Sequence, residues 1–307
     1  MTTNNNAINR IAGAPISWGV CEVPNWGYQL TPDRVLAEMQ DIGLSATELG
    51  PDGFLPADPK QMAKVLDSHR LTGVGGFTPV LMHQAGNDPL PEIDRILAGY
   101  DATGAKTLVL SAVSGLDGYD SRPELDADGW ALLLRNLDRI SARAAEHGVG
   151  AVLHPHVGTM VETGNDVQRV LEGSAMSLCL DTGHLLIGGT DPAELTRQVP
   201  DRIAHTHFKD VDNTVAAKVR AGSLSYYDAV AQGMYRPLGT GDVDVAAIVN
   251  TLQSNGYEGW FTLEQDTILT EKPPLGAGPI GNARISADYV RSLLAGSAIE
   301  STTEAMH

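Results

Sequence analysis

Eight short apolar runs recur along the chain, and each is followed by a loop and a longer stretch with the spacing of an amphipathic helix. The apolar runs predict strands at residues 11–16, 46–49, 73–77, 107–111, 150–154, 177–181, 203–207 and 260–264. The longer stretches predict helices near residues 32–43, 58–69, 91–103, 127–147, 164–172, 191–199, 243–255 and 281–295. Strands that alternate with helices indicate a parallel sheet, which either closes into a barrel or stays open and doubly wound. The count of eight favours the closed α/β fold, a (β/α)8 TIM barrel.

Capping signals support these helix boundaries. Thr31-Pro32 and Asp191-Pro192 each place an N-cap residue before a proline in the first helical turn. A glycine also follows several predicted helices and precedes the next strand, as a left-handed C-terminal cap requires. These glycines are Gly43, Gly104, Gly148 and Gly256.

No low-complexity linker divides the chain, so we predict a single barrel domain over residues 1–296 and a flexible C-terminal tail over residues 297–307. Two long segments decorate the barrel. One runs from Lys209 to Gly241, and the other is the Gly/Pro-rich segment 272–279 after the last strand. Both follow strands, so we expect them at the face where barrel enzymes build their active sites.

Charge and composition exclude several classes of protein. The formal net charge of −17 repels polyanions such as DNA. No apolar run approaches the roughly 18 residues of a membrane span, and the amino terminus has neither the basic start nor the apolar core of a signal peptide. The chain has two cysteines, Cys21 and Cys179, and the second lies in an apolar strand where a thiol usually packs in the core. We therefore expect a cytoplasmic protein that binds neither nucleic acid nor membranes.

Several ionisable side chains fall at the carboxyl ends of predicted strands, and a parallel barrel brings such ends to one mouth. They are Glu48, His154, His156, Asp181, His207 and Glu264. Imidazole nitrogens and carboxylate oxygens suit Mn²⁺, Co²⁺, Zn²⁺ or Mg²⁺, with positions left open for substrate oxygens. Because the set lacks the thiolates of a structural zinc site, it favours a catalytic metal and makes an enzyme the leading hypothesis.

These residues are not equally informative. Asp181 directly follows an apolar strand, where a carboxylate is costly unless it is paired, hydrogen-bonded or bound to metal. His154 and His156 share the parity of one strand, so one can bind metal while the other transfers protons. His205 shares the parity of His207 but lies deeper, which favours a hydrogen-bonded core role.

Other residues have a structural interpretation beside the functional one. Lys209 could neutralise a developing oxyanion, or it could form a solvent-facing ion pair with Asp210. The loop Gly239-Thr240-Gly241 lacks the rest of a phosphate-binding pattern, so turn geometry explains it better. Some aromatic residues could line a sugar-sized pocket or only pack a lid over it. They are Trp18, Tyr226, Tyr227 and Tyr235.

The motifs resemble those of the xylose isomerase-like TIM barrel superfamily, which includes sugar isomerases and epimerases, and within it they look most like those of inosose dehydratases. The matching stretches are Ala14-Pro15-Ile16-Ser17-Trp18-Gly19, Thr47-Glu48-Leu49-Gly50-Pro51, His154-Pro155-His156-Val157-Gly158-Thr159, Asp181-Thr182-Gly183-His184-Leu185 and His205-Thr206-His207-Phe208-Lys209-Asp210-Val211. The resemblance covers nearly the whole chain. The first loop, residues 20–24, departs from the polar run expected of an inosose dehydratase.

The resemblance implies a metal site. The superfamily commonly binds its metal through Glu, Asp, His and Glu at the ends of strands five to eight, and the last three fall on Asp181, His207 and Glu264. The first falls on His154, so that either His154, His156 or a water completes the shell. The implied metal is Mn²⁺ or Co²⁺, with Zn²⁺ or Mg²⁺ as alternatives. The His-x-His-x-Gly-Thr pattern is similar to the dehydratase branch.

The resemblance and the residue chemistry together predict a metal-dependent carbon–oxygen lyase, a hydro-lyase, that dehydrates a keto-cyclitol or keto-sugar, or hydrates the enone, through an enolate. His156 and His184 are the predicted proton-transfer pair. Glu48 and Lys209 are predicted to orient the substrate or stabilise its charge.

Competing hypotheses follow from the same residues. An isomerase or epimerase of a small ketose needs the same metal and enolate but no leaving group. A noncatalytic sugar-binding barrel is the alternative of a different class, because a fold does not fix a function. The DNA-repair members of the superfamily are disfavoured by the net charge of −17. The sequence leaves the oligomeric state open, a homo-oligomer included.

Overall fold

A parallel barrel forms the centre of the protein, for which a computed structural model describes the backbone over residues 8–304 and the side chains over residues 8–296. The barrel strands are β1 Ile11–Gly13, β2 Ala46–Thr47, β3 Thr72–Gly73, β4 Gly75–Val80, β5 Thr107–Ala112, β6 Gly150–Leu153, β7 Ser177–Asp181, β8 Ile203–Phe208 and β11 Phe261–Leu263. They pair in the order β3-β2-β1-β11-β8-β7-β6-β5-β4. Each strand predicted from the sequence overlaps one of them, so the predicted TIM barrel is confirmed.

Val74 closes the ring between the two end strands of this order, β3 and β4. Its backbone N–H donates to the carbonyl of Thr47 at 3.0 Å, and its carbonyl accepts from the N–H of Thr107 at 3.1 Å. Strands β3 and β4 therefore act as one interrupted strand in the third barrel position. That leaves the eight barrel positions that the apolar runs predict.

Helices surround the barrel where the periodicity predicts them. They are α1 Pro32–Asp41, α2 Pro59–Ser68, α3 Leu90–Thr103, α4 Ala127–Glu146, α5 Gly164–Gly173, α6 Thr182–Ile187, α7 Pro192–Gln198, α8 Asn213–Arg220, α9 Tyr226–Ala231, α10 Val245–Ser254 and α11 Pro279–Glu304. The Asp191 carboxylate caps α7 by accepting two backbone N–H groups, whereas Thr31 precedes α1 without a side-chain cap. The four predicted C-cap glycines all have a positive φ, from 65° to 77°.

Some of this structure was not predicted from the sequence. Helices α6, α8 and α9 are only six to eight residues long, too short for apolar periodicity to distinguish them from loops. An antiparallel hairpin of β9 Asp210–Val211 and β10 Tyr235–Arg236 ties down the long segment after Lys209. The tail predicted for residues 297–307 lies outside the side chains that the structure describes and stays a prediction. No helix in the described part of the chain is long and apolar enough to cross a membrane.

The interior of the barrel is apolar at its floor and polar at its mouth. Val109, Val152 and Cys179 form one buried cluster inside the ring. Residues two positions further along β6 and β7, His154 and Asp181, keep the same inward parity one layer higher. Cys179 is fully buried in this layer, as its apolar strand predicts.

The buried carboxylate of Asp210 organises the loop that contains Gly239-Thr240-Gly241. Its Oδ2 accepts the backbone N–H groups of Gly239, Thr240 and Gly241 at 2.8, 3.1 and 2.9 Å. Its Oδ1 accepts two more, from Val211 and Val243. A Cβ at position 241 would lie 2.3 Å from Asp210 Oδ1, so this position requires glycine. The glycines therefore serve loop geometry, as the sequence suggests.

Replacing Asp210 with Asn should lower the free energy of unfolding by about 1–3 kcal/mol, because an amide NH₂ would face at least two backbone donors and leave them unsatisfied. Urea denaturation followed by circular dichroism measures the change. The exposed Asp201→Asn variant is the control and should unfold at the wild-type urea concentration. An Asp210→Asn protein as stable as this control would show that the five hydrogen bonds do not hold the loop.

Candidate active site

Four strand ends deliver the predicted metal-binding residues to one place at the barrel mouth. Asp181 is the last residue of β7 and pairs in register with His207 on β8. His154 follows β6, and Glu264 follows β11 directly. Neighbouring parallel strands lie about 4.8 Å apart, so residues of inward parity at their ends are brought into contact.

The distances show how close this cluster is. His154 Nε2 lies 2.9 Å from Asp181 Oδ2, and His207 Nδ1 lies 3.7 Å from the same oxygen. His207 Nδ1 also contacts Glu264 Oε2 directly. Asp181, His207 and Glu264 each offer one ligand atom, and these atoms all lie within 4.8 Å of one another.

The donor set fits a divalent cation. Among the buried polar atoms that the structure describes, His207 Nδ1 and Glu264 Oε2 have no hydrogen-bond partner although they face each other. When the His207 Nε2–H donates to Glu48, a neutral ring leaves Nδ1 as an acceptor that faces a carboxylate oxygen, and this pair costs free energy unless a proton or a metal ion lies between the two atoms. Burial lowers the pKa of His207, but Cys179 and the carboxylates of Glu264 and Glu48 raise it well above its usual value. The surroundings of Nδ1 thus call for a cation, and a set of imidazole and carboxylate ligands suits Mn²⁺, Co²⁺ or Zn²⁺.

Glu48 lies behind His207 and fixes the tautomer of its ring. The Nε2–H groups of His207 and His205 both donate to Glu48 Oε1, at 2.8 and 2.9 Å. Burial raises the pKa of Glu48, but His207 and His205 hold it below its usual value, so the carboxylate stays charged. A carboxylate that binds the far nitrogen of a ligating imidazole orients the ring and raises its basicity. His205 is fully buried, like His207, and its hydrogen bond to Glu48 satisfies its Nε2.

Lys209 brings a buried positive charge to the same carboxylates. Its Nζ lies 2.8 Å from Asp181 Oδ2, 2.9 Å from Glu264 Oε1 and 3.3 Å from Asp266 Oδ1. Burial lowers the pKa of Lys209, but these three carboxylates raise it well above its usual value. The alternative of a solvent-facing ion pair with Asp210 is wrong, because both side chains are buried and Asp210 is bound by backbone N–H groups.

The two predicted proton-transfer histidines are stacked, but only one of them reaches the cavity. The rings of His156 and His184 lie 3.7 Å apart between centroids. His156 Nδ1 donates to the carbonyl of Val157 at 2.7 Å, which leaves Nε2 as the acceptor of a neutral ring. Burial and the neighbouring His154 lower the pKa of His156 to about 3. Burial and His156 likewise lower the pKa of His184, which lies behind His156 and outside the cavity wall.

A cavity of about 560 Å³ opens onto this cluster. Glu48, His154, His156, Glu264 and Asp266 are among the residues that line it, whereas Asp181, His207 and Lys209 are not. Asp266 was not predicted from the sequence, although it lies two residues beyond Glu264 and shares the strand parity that selects Glu264. Asp266 accepts a hydrogen bond from the Tyr226 hydroxyl at 2.5 Å, and burial raises its pKa to about 6.

The aromatic wall of the cavity differs from the one considered from the sequence. In the described part of the chain, the wall contains Tyr119 and Trp26 but not Trp18, Tyr226, Tyr227 or Tyr235. Trp18 is fully buried and its Nε1–H donates to Glu38 at 2.9 Å, so it is a core residue. Tyr119 contacts His156 with 4.5 Å between ring centroids and 44° between the ring planes. Distant loops bring these rings together, and no local pattern marks them.

Comparisons with known proteins agree with this architecture. The family model described as a xylose isomerase-like TIM barrel matches residues 36–292. The rhizopine catabolism protein MocC of Rhizobium meliloti is 32% identical over 288 residues, which cover 90% of this chain and 87% of the relative. The inosose dehydratase of Geobacillus kaustophilus (strain HTA426) is 32% identical over 298 residues, covering 93% and 94%. A solved structure of an L-ribulose 3-epimerase superposes with a TM-score of 0.70 at 16% identity, covering 96% of this chain and 97% of the other.

Proposed function

Because this chain belongs to the xylose isomerase-like TIM barrel family, we propose that it is a divalent-metal-dependent hydro-lyase that removes water from a keto-cyclitol or keto-sugar, or adds it back. The family predicted from the motifs is confirmed. Relatives about 30% identical over at least 90% of the chain are named inosose dehydratases, which supports a dehydratase-like enzyme. The observation that carries the proposal is the neutral His156, which lines the cavity next to the residues that fit a divalent metal.

In this proposal Asp181, His207 and Glu264 hold the metal, and His154 completes the set through Nε2. The bound ion supplies Lewis acidity, which makes the carbon next to a ketone more acidic. Glu48 keeps His207 in the tautomer that leaves Nδ1 free for binding. Lys209 holds the carboxylates of Asp181 and Glu264 in place and adds a fixed positive charge beside them.

The chain's own groups then move the protons. His156 Nε2 takes the proton from the carbon next to the ketone, and contacts with the rings of Tyr119 and His184 hold the imidazole in place. Asp266, which also lines the cavity, donates a proton to the hydroxyl that leaves from the next carbon, so that the bond breaks with release of water. Its hydrogen bond with Tyr226 fixes the carboxyl group in the wall. His184 supports His156 from behind and does not touch the substrate.

Product mass tests this proposal. The protein is stripped with a chelator, reloaded with Mn²⁺ or Co²⁺, and incubated with a keto-inositol and with a 3-keto-glucoside. We expect a product lighter by one water in the metal-loaded samples and no product in the stripped one. A product of unaltered mass would support the isomerase or epimerase instead. Protein that neither binds the metals nor turns over either ketone would point to the noncatalytic sugar-binding barrel.

A further inference from the structure

The cavity continues past the catalytic groups into a side chamber between helices α2 and α3. We define the side chamber by Leu55, Met62, Ile96, Gly99 and Tyr100, which line the same cavity as His156 and Glu264. Leu55 belongs to the loop after β2. Tyr100 is buried, and its hydroxyl donates a hydrogen bond to the carbonyl of Gly76 at 3.3 Å. One continuous space therefore joins the proton-transfer groups to a region outside the barrel ring.

This space is larger than a bare cyclic ketone requires. A keto-cyclitol has about a dozen non-hydrogen atoms, which need at most about 360 Å³ at the roughly 30 Å³ that a water molecule occupies in the liquid. The cavity measures about 560 Å³. The cavity therefore has room for a substituent beyond the reacting ring.

The chemistry of the chamber differs from that of the mouth. Its walls are aliphatic and aromatic, whereas carboxylates and imidazoles crowd the mouth. Charged groups occur at its rim, where Arg95 on α3 pairs with Asp52 of the loop after β2 at 3.0 Å and with Glu92 at 2.7 Å. These three side chains are half or more exposed, so they mark the opening of the chamber. The occupant of the interior is accordingly apolar.

Gly99 keeps the chamber open. It lies inside α3, where glycine destabilises a helix by roughly 0.5–1 kcal/mol relative to alanine. A Cβ built on Gly99 meets no atom within 4 Å, so packing does not require glycine there. Gly99 lines the cavity and has open space around its Cβ position, so a larger side chain can be built there.

We propose that the substrate is a keto-glycoside whose apolar aglycone binds in the side chamber while its keto-sugar ring lies against His156 and Glu264. This assignment rests on the proposed function and narrows its substrate class. It places specificity for the substituent on Met62, Ile96 and Gly99, far from the groups that move protons.

Filling the chamber from Gly99 tests the proposal. The Mn²⁺-loaded Gly99→Leu protein is assayed with phenyl 3-keto-β-D-glucopyranoside and with a free keto-inositol. We expect kcat/KM for the phenyl glycoside to fall at least about tenfold, since the leucine occupies the space of the aryl group, while kcat/KM for the keto-inositol stays within about twofold. Gly281→Leu is the matched control, because Gly281 also lies in a helix with no atom within 4 Å of its Cβ but is outside the cavity. It should leave both values unchanged.

A second variant keeps the proposal testable if the Gly99→Leu protein misfolds. Met62→Gln keeps the length of the side chain on α2 but makes the wall opposite Gly99 polar. It should lower kcat/KM for the phenyl glycoside relative to kcat/KM for the keto-inositol. Equal losses for both substrates in both variants, or no loss in either, would overturn the aglycone site while leaving the proposed reaction intact. No turnover of either ketone by the wild-type protein would instead reject the proposed function.

Discussion

Replacing Asp181 with Asn should abolish most of the metal binding and turnover. The Asp181 carboxylate is fully buried, and its Oδ2 lies within 2.9 Å of both His154 Nε2 and Lys209 Nζ. An amide keeps the shape but removes the charge that balances the metal and Lys209. We expect the metal affinity to fall at least about a hundredfold, beyond what a change to an outer-shell partner causes, and turnover to fall by about 10² to 10³.

Metal content after dialysis and product formation at saturating metal separate these two effects. Asp191→Asn is the matched control, because Asp181 and Asp191 both cap short helices through backbone N–H groups and asparagine preserves such a cap. The control should retain its metal and its turnover. An Asp181→Asn protein that binds Mn²⁺ as tightly as the control would rule out the proposed ligand set.

Replacing His156 with Gln should stop the reaction but leave the metal bound. His156 is the imidazole that lines the cavity with an unprotonated Nε2, and glutamine cannot accept a proton from carbon. General base catalysis contributes typically about 10² to 10⁴ to the rate, so kcat should fall by that factor. The metal content should match that of the wild type, because Asp181, His207 and Glu264 are unchanged.

Single-turnover experiments with the metal-loaded protein measure this loss without interference from product release. His147→Gln removes an imidazole from the surface, where His147 lies 3.4 Å from Asp101, and should leave the rate unchanged. Full turnover by a metal-loaded His156→Gln protein would show that another residue acts as the general base. Loss of the metal together with the activity would instead make His156 a ligand and leave His154 free for proton transfer.

The sequence was informative wherever the signal is local. Apolar periodicity located all eight barrel positions, and Gly43, Gly104, Gly148 and Gly256 marked helix ends through their positive φ. Strand parity then placed Asp181, His207 and Glu264 at one mouth, because every parallel strand of a barrel presents its carboxyl end there. The short helices α6, α8 and α9 were not predicted, since about two turns carry little periodicity and, unlike α7, none of them begins with an Asp-Pro pair.

The roles of the individual residues within the site could not be predicted from such local signals. The sequence predicts that Glu48 orients the substrate or stabilises its charge, yet its Oε1 accepts hydrogen bonds from His205 and His207, two imidazoles about 160 positions further along the chain. Lys209 was compared with its neighbour Asp210, yet its partners are Asp181, Glu264 and Asp266. The choice between such partners depends on the distances between side chains that meet only when the barrel closes.

The sequence by itself thus determined the fold and the residues that gather at the barrel mouth, because the hydrophobic periods of strands and helices depend only on residues that are close in sequence. The tertiary structure decided that His156 lines the cavity while His184 lies behind it, and that an apolar chamber extends from the mouth between α2 and α3. The physical reason is that cavity shape, burial and charge pairing each depend on residues from distant parts of the chain. Their values become defined only when β3 and β4 complete the ring through Val74.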